Sequence, residues 1–553
     1  MARANATNPN GRKQIRTIFS QYQKKKMLEF AERVGWKLQK RDDELISDFC
    51  SKIGVKKRLL KVWMHDNENT FATADILPNY LIHEILSCLN IKESTKMSIL
   101  SKTWLQAWST LPNLKFICKY SIDSKIIDAI LERYRVNKIP IDKFEFSYCL
   151  EYRSRDVFPL IDKWLGIALQ NGVKHLLYNG NCTLNPSIYK RTYTLIPSYP
   201  LPIYTILASE ALRELVLTDF DLMSVSLSDG VASCHSLRML SLSRVSLDEN
   251  MLQTLLNSCP LLVALILEYC PGLKKIELLN LQKIKSASIR AKINQRVKVK
   301  APTLEHNLKS LDLSYVRISN GFLPHLLSKS QFLERLKLVN VPRLEGFYIC
   351  RSESLEVLYI RDCEGIWEID APNLVSLDYN GDQAPELKIA KEPRQLKHSK
   401  IILHCSSSLN AVWFCKLRKF LSNSTSWSQV SLNFYEYNEI NMNDLQLHHR
   451  IAIPQVDVLN VDIMWQSRKC PTLVDALLWS CRPRRLNLQS TSEMSTCFID
   501  CLMYMKNYKP LHSQLKEVQI YKLDDKRGLE IGSGKLGVTT LTKKEKVYFL
   551  LDW

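Results

Sequence analysis

A short apolar pattern recurs along the chain and constrains its fold more than any other feature of the sequence. Hexapeptides with apolar residues at positions one, four and six begin at residues 212, 237, 262, 308, 333, 355 and 374. The intervals are 25 and 25 in the first group, then 25, 22 and 19 in the second. Units of this period bury their apolar faces only against their neighbours, so the pattern predicts a stacked solenoid.

Leucine-rich repeats have this spacing, with one strand and one return segment in each unit. Cys270 and Cys363 lie where such a repeat places Asn or Cys, and 246–260 has the pattern of a return helix. Degenerate strand patterns occur at 173–184, 455–465, 484–489 and 515–523, whereas 281–305 and 380–450 are less regular. The sequence therefore predicts an α/β leucine-rich-repeat solenoid over residues 119–553, irregular at both ends.

The residues between the leucines of each strand are expected on the concave face, where repeat arrays bind other molecules. Eight charged or aromatic residues form this predicted target-binding surface: Arg238, Lys309, Asp312, Arg335, Lys337, Tyr359, Arg361 and Asp378. Their mixture suits a polar protein surface. A separate basic stretch at 273–300 either holds an acidic ligand or is a solvated strand edge, the commoner role of such runs.

Composition indicates an intracellular protein of several domains. The 553 residues include 76 Lys and Arg against 56 Asp and Glu, a net charge of +20 that favours nucleic acid or acidic protein partners. No apolar run approaches the roughly 18–20 residues that span a bilayer. The N-terminus lacks the apolar segment of a secretory signal, so the sixteen scattered cysteines are expected to be reduced.

Enzyme signals are missing from the sequence. Cys497 and Cys501 lack the spacing of a zinc knuckle and have no second pair nearby. The stretch "GSGKLG" at 532–537 lacks the first glycine and the final Ser or Thr of a phosphate-binding loop. The sequence therefore predicts no catalytic residue, no metal and no cofactor.

Residues 11–70 follow about ten residues expected to be disordered, and they have the pattern of three helices. The segments 21–34 and 41–53 are amphipathic, Gly54 ends the second, and 56–68 is basic. This order is that of a helix-turn-helix. The predicted core faces are Met27, Phe30, Ala31 and Val34 on the first helix, and Leu45, Phe49 and Ile53 on the second.

The segment resembles the homeodomain of plant zinc-finger homeodomain proteins through "GW" at 35–36, "FC" at 49–50, "GV" at 54–55 and "LKVWMH" at 60–65. The resemblance implies an all-α three-helix domain with an N-terminal arm in the minor groove. The family's zinc-finger dimerisation region is absent here, so we expect a monomer. The DNA-binding residues that the resemblance implies are Arg16, Lys56, Lys57, Arg58, Lys61, Val62, His65, Asp66 and Asn69.

Asp66 departs from the family pattern, which has Asn at this position. An Asn amide donates to and accepts from adenine together, whereas an ionised Asp only accepts, and such a bidentate contact is worth about 1–3 kcal/mol. Glu68 adds a second acid beside the DNA backbone. Three alternatives remain open: sequence-specific binding, weak salt-sensitive binding through Lys and Arg, and no useful binding.

Residues 71–118 have the pattern of a small helical hairpin with more apolar surface than forty residues can hide, which predicts a partner. The segments "LPNYLIHEIL", "SILSKTWLQAW" and "LPNL" resemble the F-box of plant proteins that also contain leucine-rich repeats. The resemblance implies docking onto the Skp1 adaptor of a cullin-based ubiquitin ligase. The implied contacts are Leu77, Pro78, Leu81, Ile85, Leu86, Ser98, Leu100, Ser101 and Trp104.

The preferred hypothesis is a non-catalytic substrate receptor of an SCF-type ubiquitin ligase, located in the nucleus and also possible in the cytoplasm. The alternative is a nuclear DNA-binding regulator whose repeats bind partner proteins. Only about seven residues, at most roughly 25 Å when extended, separate the basic helix from Leu77, so DNA and Skp1 would crowd each other. A third hypothesis is two joined modules with an inert homeodomain.

Overall fold

The structure of the protein is a computed structural model in two compact units, 1–116 and 117–553. It describes residues 19–36, 43–74, 77–89, 91–118, 124–148, 158–180, 199–223, 234–279, 281–293, 295, 297–300, 307–319, 321–342, 347–349, 352–363, 366–388, 398–405, 409–423, 427–435, 439–446, 452–463, 470–508, 515–524, 528–531 and 545–553.

The first unit is helical. Its helices are α1 Gln21–Arg33, α2 Asp43–Ile53, α3 Lys57–Ala74, α4 Asn79–Ser87, α5 Ile91–Met97 and α6 Lys102–Ser109. The boundary between the units falls within strand β1 Asn113–Cys118.

The helices α1, α2 and α3 share one apolar core. Its buried residues are Met27, Phe30, Ala31, Ile46, Cys50, Ile53, Val55, Leu60 and Met64. The Phe30 and Phe49 rings stack at 4.1 Å between centroids. The prediction that Leu45 belongs to the core is wrong, because Leu45 is 48% exposed. Ile46 is buried in its place. The helix pattern was right, but the apolar stripe is centred one residue later.

Gly54 ends α2 with a positive φ of 65°, a conformation that favours glycine. The next N–H, of Val55, donates to the carbonyl of Cys50 at 3.1 Å and closes the helix end. This sharp turn lets α3 begin at Lys57 and bury Leu60 in the shared core. The predicted end of the basic helix at residue 68 is wrong, because α3 continues to Ala74. The segment expected as an extended connector is therefore largely helical.

The predicted hairpin of 71–118 is also wrong in its helix count, because α4, α5 and α6 form three helices. Ile99 and Leu100 lie between α5 and α6. Ser101 caps α6, and its hydroxyl oxygen accepts a hydrogen bond from the backbone N–H of Trp104 at 3.3 Å. A serine cap sets the helix start, which the apolar pattern alone could not locate.

The second unit is a repeat array of strands and helices. Its helices are α7 Ser124–Asn137, α8 Phe158–Gln170, α9 Ile203–Leu207, α10 Glu249–Ser258, α11 Phe322–Lys329, α12 Ala411–Leu421, α13 Met442–Gln446, α14 Pro471–Ser480 and α15 Ser492–Tyr508. Its strands are β2 Lys143–Tyr148, β3 His175–Asn179, β4 Glu214–Thr218, β5 Met239–Ser243, β6 Ala264–Glu268, β7 Lys275–Glu277, β8 Ser286–Arg290, β9 Lys298–Lys300, β10 Ser310–Ser314, β11 Arg317–Ile318, β12 Arg335–Val339, β13 Phe347–Ile349, β14 Val357–Arg361, β15 Ile366–Asp370, β16 Ser376–Gly381, β17 Glu386–Lys388, β18 His398–Cys405, β19 Trp427–Phe434, β20 Gln455–Ile463, β21 Arg482–Ser490, β22 Glu517–Asp524, β23 Gly528–Ile531 and β24 Glu545–Asp552.

One parallel main sheet runs from β2 to β21, and all seven predicted repeat strands belong to it. The chain then reverses, because β24 pairs antiparallel with both β21 and β22, and β22 with β23. Two small parallel sheets accompany it, in the orders β11–β9–β7 and β13–β15–β17.

The leucines of successive repeats form buried rows across the main sheet. Leu240 pairs with Leu265 in register, and Leu311 pairs with Leu336. Between these pairs lies β8, where Ala287 takes the leucine position beside both Leu265 and Leu311. This strand fills the apparent gap at 281–305, which was predicted to be less regular because Ala287 hides the pattern.

A turn residue with positive φ recurs directly after six strands of the main sheet. Residues with φ between 48° and 60° directly follow β4, β5, β6, β10, β12 and β14: Asp219, Arg244, Tyr269, Tyr315, Asn340 and Asp362. The backbone N–H of each donates to a carbonyl at the end of the neighbouring strand in the main sheet, as Arg244 does to Glu268 at 2.7 Å. Positive φ is strained for non-glycine residues. The shared hydrogen bond holds this turn in place at each repeat.

The two predicted repeat cysteines are buried. The Cys270 thiol donates to the Leu242 carbonyl at 3.3 Å, and the Cys363 thiol donates to the Arg361 carbonyl at the same distance. Burial raises the pKa of each thiol to about 11, so both remain protonated donors at neutral pH. The cysteines thus satisfy backbone carbonyls at the turn after a strand.

The predicted return helix at 246–260 is confirmed as α10, and its cap supplies a test of local stability. The Asp248 carboxylate accepts a hydrogen bond from the Met251 N–H at 2.7 Å. We expect Asp248→Ala to lower the free energy of unfolding by about 1 kcal/mol, the usual effect of losing a cap. Urea denaturation monitored by circular dichroism measures it. The control Asn250→Ala, exposed on the same helix, is expected to be neutral; equal loss in both variants would contradict a capping role.

Candidate protein-interaction surfaces

The nine residues proposed to bind Skp1 divide into an exposed and a buried set. Leu81 and Ile85 lie one helical turn apart on α4 and are 37% and 38% exposed. Pro78 is exposed at the start of the same helix, and Leu77 and Leu100 are half-buried. Tyr80, Ile99 and Leu105 are further exposed apolar residues of this unit. Tyr80 was not predicted, although it lies beside Leu81 in the sequence.

The remaining four of the nine, Leu86, Ser98, Ser101 and Trp104, are buried within the first unit. The Ser98 hydroxyl donates to the Thr95 carbonyl at 2.7 Å, and Ser101 caps α6. These contacts give the buried residues a role in shaping the helices. Their contact with a partner stays a prediction, and we define the F-box apolar surface as Tyr80, Leu81, Ile85, Ile99 and Leu105.

The outward side chains of the main sheet lie in register across repeats. Asp312 pairs with Lys337, Lys337 with Tyr359, and Tyr359 with Asp378. Arg361 lies in the next row, beside Asn380. We call these five predicted residues, together with Glu268 and Arg290, the ladder face. The structure thus brings together five of the eight residues expected on the concave surface.

The other three predicted residues lie nearer the beginning of the strands. Arg335 is the first residue of β12, and Arg238 and Lys309 each precede the first residue of a strand by one position. Lys309 pairs with Glu334 of the next repeat at 2.5 Å. Arg238 is exposed, and its backbone carbonyl accepts from Val263 and Ala264 of the neighbouring repeat. These residues border the ladder face without joining its central row.

Opposite charges alternate along the ladder face. Lys337 donates to the Asp312 carboxylate at 2.8 Å, while Arg290 lies 3.8 Å from Asp312 and 3.3 Å from Glu268. Glu268 and Arg290 were missed because they end their strands, one place beyond the last leucine-type position. Arg290 was missed for a further reason, since its strand β8 was not recognised. The result is a chain of partly buried ion pairs that spans the four neighbouring strands β6, β8, β10 and β12.

Tyr359 lies between two cations. Its ring centroid is 5.6 Å from the Lys337 ammonium and 5.4 Å from the Arg361 guanidinium, distances typical of cation–π contacts. Burial raises the pKa of the Tyr359 hydroxyl, so it stays a neutral hydrogen-bond donor. Desolvation also raises the pKa of Asp378, against the opposing effects of Lys400 and Arg361. This part of the face is partly dehydrated and presents donors, cations and one aromatic ring.

Five of the predicted DNA contacts, on or beside the basic helix, are exposed at the surface. Arg58, Val62 and His65 follow one another at helical spacing on α3 and are exposed, as are Lys56 and Lys61. Lys57 differs because it pairs with Asp43 at 2.8 Å, and its hydrogen bond lowers the pKa of that carboxyl. Arg16 lies outside the described residues. Asp66 and Asn69 belong to α3, but their side chains lie outside the described part of the chain.

Neither a metal site nor a membrane-spanning helix occurs within the described residues. No three His, Cys, Asp or Glu side chains in this part of the chain are grouped as metal ligands. None of its helices is both long and apolar enough to cross a bilayer. Cys497 is buried on α15 and Cys501 is half-buried on the same helix.

Comparison with known families agrees with this architecture. The family model for the F-box domain matches residues 75–116. The leucine-rich repeats of the FBD-associated F-box protein At5g56370 match 161–307, and the leucine-rich-repeat domain of At1g61320/AtMIF1 matches 304–426. The second match covers much of the ladder face, which lies between residues 268 and 378.

Individual relatives match a short part of the chain. Zinc-finger homeodomain protein 10 of Arabidopsis thaliana is 65% identical over 68 residues, which is 12% of this chain and 20% of that protein. Zinc-finger homeodomain protein 9 of the same plant is 58% identical over 66 residues, 12% and 21%. Zinc-finger homeodomain protein 1 of Oryza sativa subsp. japonica is 56% identical over 61 residues, 11% and 22%.

The chain thus spans about a fifth of the length of the curated relatives it matches. The family models that match cover the F-box and the repeats. The chain therefore contains an F-box domain and leucine-rich repeats, and it also carries a region similar to the plant zinc-finger homeodomain proteins.

Proposed function

We propose that this chain is the substrate-recognition subunit of an SCF-type ubiquitin ligase. In this role the F-box apolar surface docks a Skp1-like adaptor, and the ladder face holds the target protein. The chain itself is non-catalytic and contributes proximity between the target and the ubiquitin donor. It needs no cofactor, acts mainly in the nucleus, and is a monomer outside the complex.

The observation that carries the proposal is the exposure of Leu81 and Ile85 on the first F-box helix. Fully burying a leucine or isoleucine side chain stabilises a complex by about 1.5–3 kcal/mol, and less where the side chain is already partly covered. Several such residues together stabilise an interface of moderate affinity. Because Leu86 on the same helix is buried, α4 is held in place from one side and open on the other.

The ladder face suits a protein target because most of its charges already have partners. Such a face keeps its shape before binding, so little side-chain freedom is lost when a target docks. Its net charge over Glu268, Arg290, Asp312, Lys337, Arg361 and Asp378 is zero. Specificity then depends on matching the alternating pattern, with Tyr359 as the aromatic anchor.

A second candidate function, DNA-binding regulation, is favoured by the exposed cations and His65 on α3 and by the similarity to the zinc-finger homeodomain proteins. We propose an all-α homeodomain for residues 11–70 on these grounds. Asp66 opposes sequence reading because an ionised carboxylate repels the acceptors of adenine. We therefore rank DNA binding below target recognition and assign the homeodomain weak, salt-sensitive attraction to DNA.

Adaptor docking predicts a sharp effect from the double variant Leu81→Asp, Ile85→Asp in the full chain. Both carboxylates would become buried and unpaired in the complex, so we expect the Kd for a plant Skp1-type adaptor to rise at least about 100-fold. Calorimetric titration measures the Kd. Val412→Asp, at a more exposed apolar position on α12, is the control and should leave the Kd unchanged. Unaltered affinity of a folded double variant would refute docking through this surface.

The ion pairs of the ladder face predict a measurable coupling between Asp312 and Lys337. A double-mutant cycle with alanine at both positions should give a coupling of about 0.5–1 kcal/mol in unfolding free energy, reduced by high salt. The more exposed pair Lys309–Glu334, which joins the same two repeats, is the matched cycle, and we expect less coupling there. Zero coupling at Asp312–Lys337 would mean that the face is not preorganised by this pair.

If Asp66 prevents recognition of a specific base sequence, the variant Asp66→Asn should gain affinity for a specific DNA site in the full chain. We expect this variant to bind an A·T-rich homeodomain site roughly 5- to 150-fold tighter than wild type, the range given by about 1–3 kcal/mol. Fluorescence anisotropy at about 50 and 200 mM salt separates specific from ionic binding. Asp48→Asn makes the same charge change on α2 and serves as control. Tight, specific binding by the wild type would instead favour the DNA-directed function.

A further inference from the structure

The small sheet β11–β9–β7 carries a row of cations that the proposed function does not use. Lys275, Lys298 and Arg317 are directly opposite one another in register. Ile276 and Val299 alternate with them and are buried at 3% and 1% exposure, so the cations face the other way. Lys300 follows on that outer face of β9 and is exposed. The basic stretch singled out in the sequence thus becomes a compact surface patch.

The carboxylates nearest this patch are already engaged. Glu277 accepts a hydrogen bond from Lys275, which lowers the pKa of the Glu277 carboxyl, and the two atoms lie 2.5 Å apart. Glu249 accepts the backbone N–H groups of Lys274 and Lys275 at 3.0 and 3.2 Å. Among the described carboxylates, none lies within ion-pair distance of Lys298, Lys300 or Arg317. We call these three residues the cationic triad.

The arrangement of the cationic triad works against the stability of the sheet. Neighbouring strands are about 4.8 Å apart, and alternate residues of one strand are about 6.6 Å apart, so the three charges repel one another. Like charges directly opposite in a sheet are destabilising. Glu277, directly opposite Lys300 on β7, offsets only part of this repulsion, because its carboxylate is already paired with Lys275. An anionic ligand would offset more of it, because it would meet two or three cations at once.

We propose that the cationic triad binds an extended acidic segment of a partner protein. Side chains in an extended chain recur at about 3.3 Å per residue, so carboxylates or phosphates on it can reach successive cations of the patch. This interaction is separate from adaptor docking and from the ladder face, and it stands if either of them fails.

The patch fits an acidic protein segment better than a nucleic acid. Nucleic-acid-binding surfaces combine many phosphate contacts, often about 6–10, with aromatic residues on which bases stack. Here the triad has three unpaired cations, Glu277 lies beside Lys300, and the outward positions of β7, β9 and β11 hold no aromatic residue. A phosphate backbone would meet the Glu277 carboxylate, whereas a flexible side-chain acid can avoid it.

An exposed aliphatic residue close to the patch adds a second recognition element. Ile293 is 78% exposed in the turn before β9. Gln295 anchors this turn through hydrogen bonds from its amide to the carbonyls of Cys270 and Leu273, at 2.7 and 2.9 Å. The turn is therefore fixed beside Lys274 and the start of β7. A partner segment with an apolar residue flanking its acids would contact Ile293.

The test measures binding of a labelled oligoglutamate peptide and a labelled DNA duplex to the full chain by fluorescence anisotropy. The variant Lys298→Gln, Lys300→Gln, Arg317→Gln removes the triad. Lys125→Gln, Lys329→Gln, Lys516→Gln removes the same charge from exposed positions elsewhere in the second unit and is the control. We expect the triad variant to bind the peptide at least about tenfold more weakly than the control does.

Thermal unfolding separates a binding role from a structural one. Because repulsion is relieved, the triad variant is expected to keep or raise the Tm of wild type while losing the peptide. The proposal is overturned by equal peptide affinity in the two variants, by no peptide binding to wild type, or by a fall in Tm. It is also overturned if the duplex binds more tightly than the peptide and depends on the triad.

Discussion

The second unit depends on the alignment of leucines from one repeat to the next. Each buried leucine, such as Leu311 or Leu336, packs beside its counterpart on the adjoining strand. Removing one such side chain typically costs about 2–5 kcal/mol, a large share of the 5–15 kcal/mol that stabilises a whole domain. Because neighbouring repeats supply each other's core, the array is stable only as a continuous stack. The main sheet provides that continuity from β2 to β21.

The same alignment creates the polar surface. Strand residues alternate between two faces, so a strand that commits its leucines to the core has free positions on the other face. These positions meet their neighbours one repeat away, and the sequence separation is 25 residues for Arg244 with Asp219, Lys337 with Asp312 and Lys309 with Glu334. The period that builds the core therefore also sets which charges become partners. The residue spacing of the core and that of the recognition surface therefore cannot change independently.

Sequence patterns predicted those parts of the structure in which one residue type repeats, and they failed where a single residue breaks the series. The seven leucine-bearing strands were found, whereas β8 was missed because Ala287 is buried at a leucine position. Leu45 was assigned to the core of α2 because it is apolar, yet Ile46 lies one position later on the buried side. Helical periodicity alone fits either residue in the core. Only packing against α1 and α3 decides whether Leu45 or Ile46 is buried.

Side-chain partners were harder to predict than backbone elements. The proposed DNA contact Lys57 forms an ion pair with Asp43, fourteen positions earlier, and no local pattern indicates that the two residues meet. Glu268 and Arg290 complete the ladder face, but they lie outside the six-residue apolar pattern from which the concave-face residues were predicted. The extension of α3 to Ala74 was missed because residues 69–74 have no apolar period, although nothing in them prevents a helix. These features depend on contacts between elements, which local patterns do not contain.

The antiparallel end of the main sheet has a consequence for the synthesis of the chain. The outer edge of β21 is covered by β24, which follows only after α15, β22 and β23. While the ribosome is still adding those segments, the backbone groups along this outer edge have no partner strand from the same molecule. An open parallel edge is a template for association between chains. The nascent protein therefore passes through a stage at which aggregation competes with its own completion, and the arrival of β24 ends it.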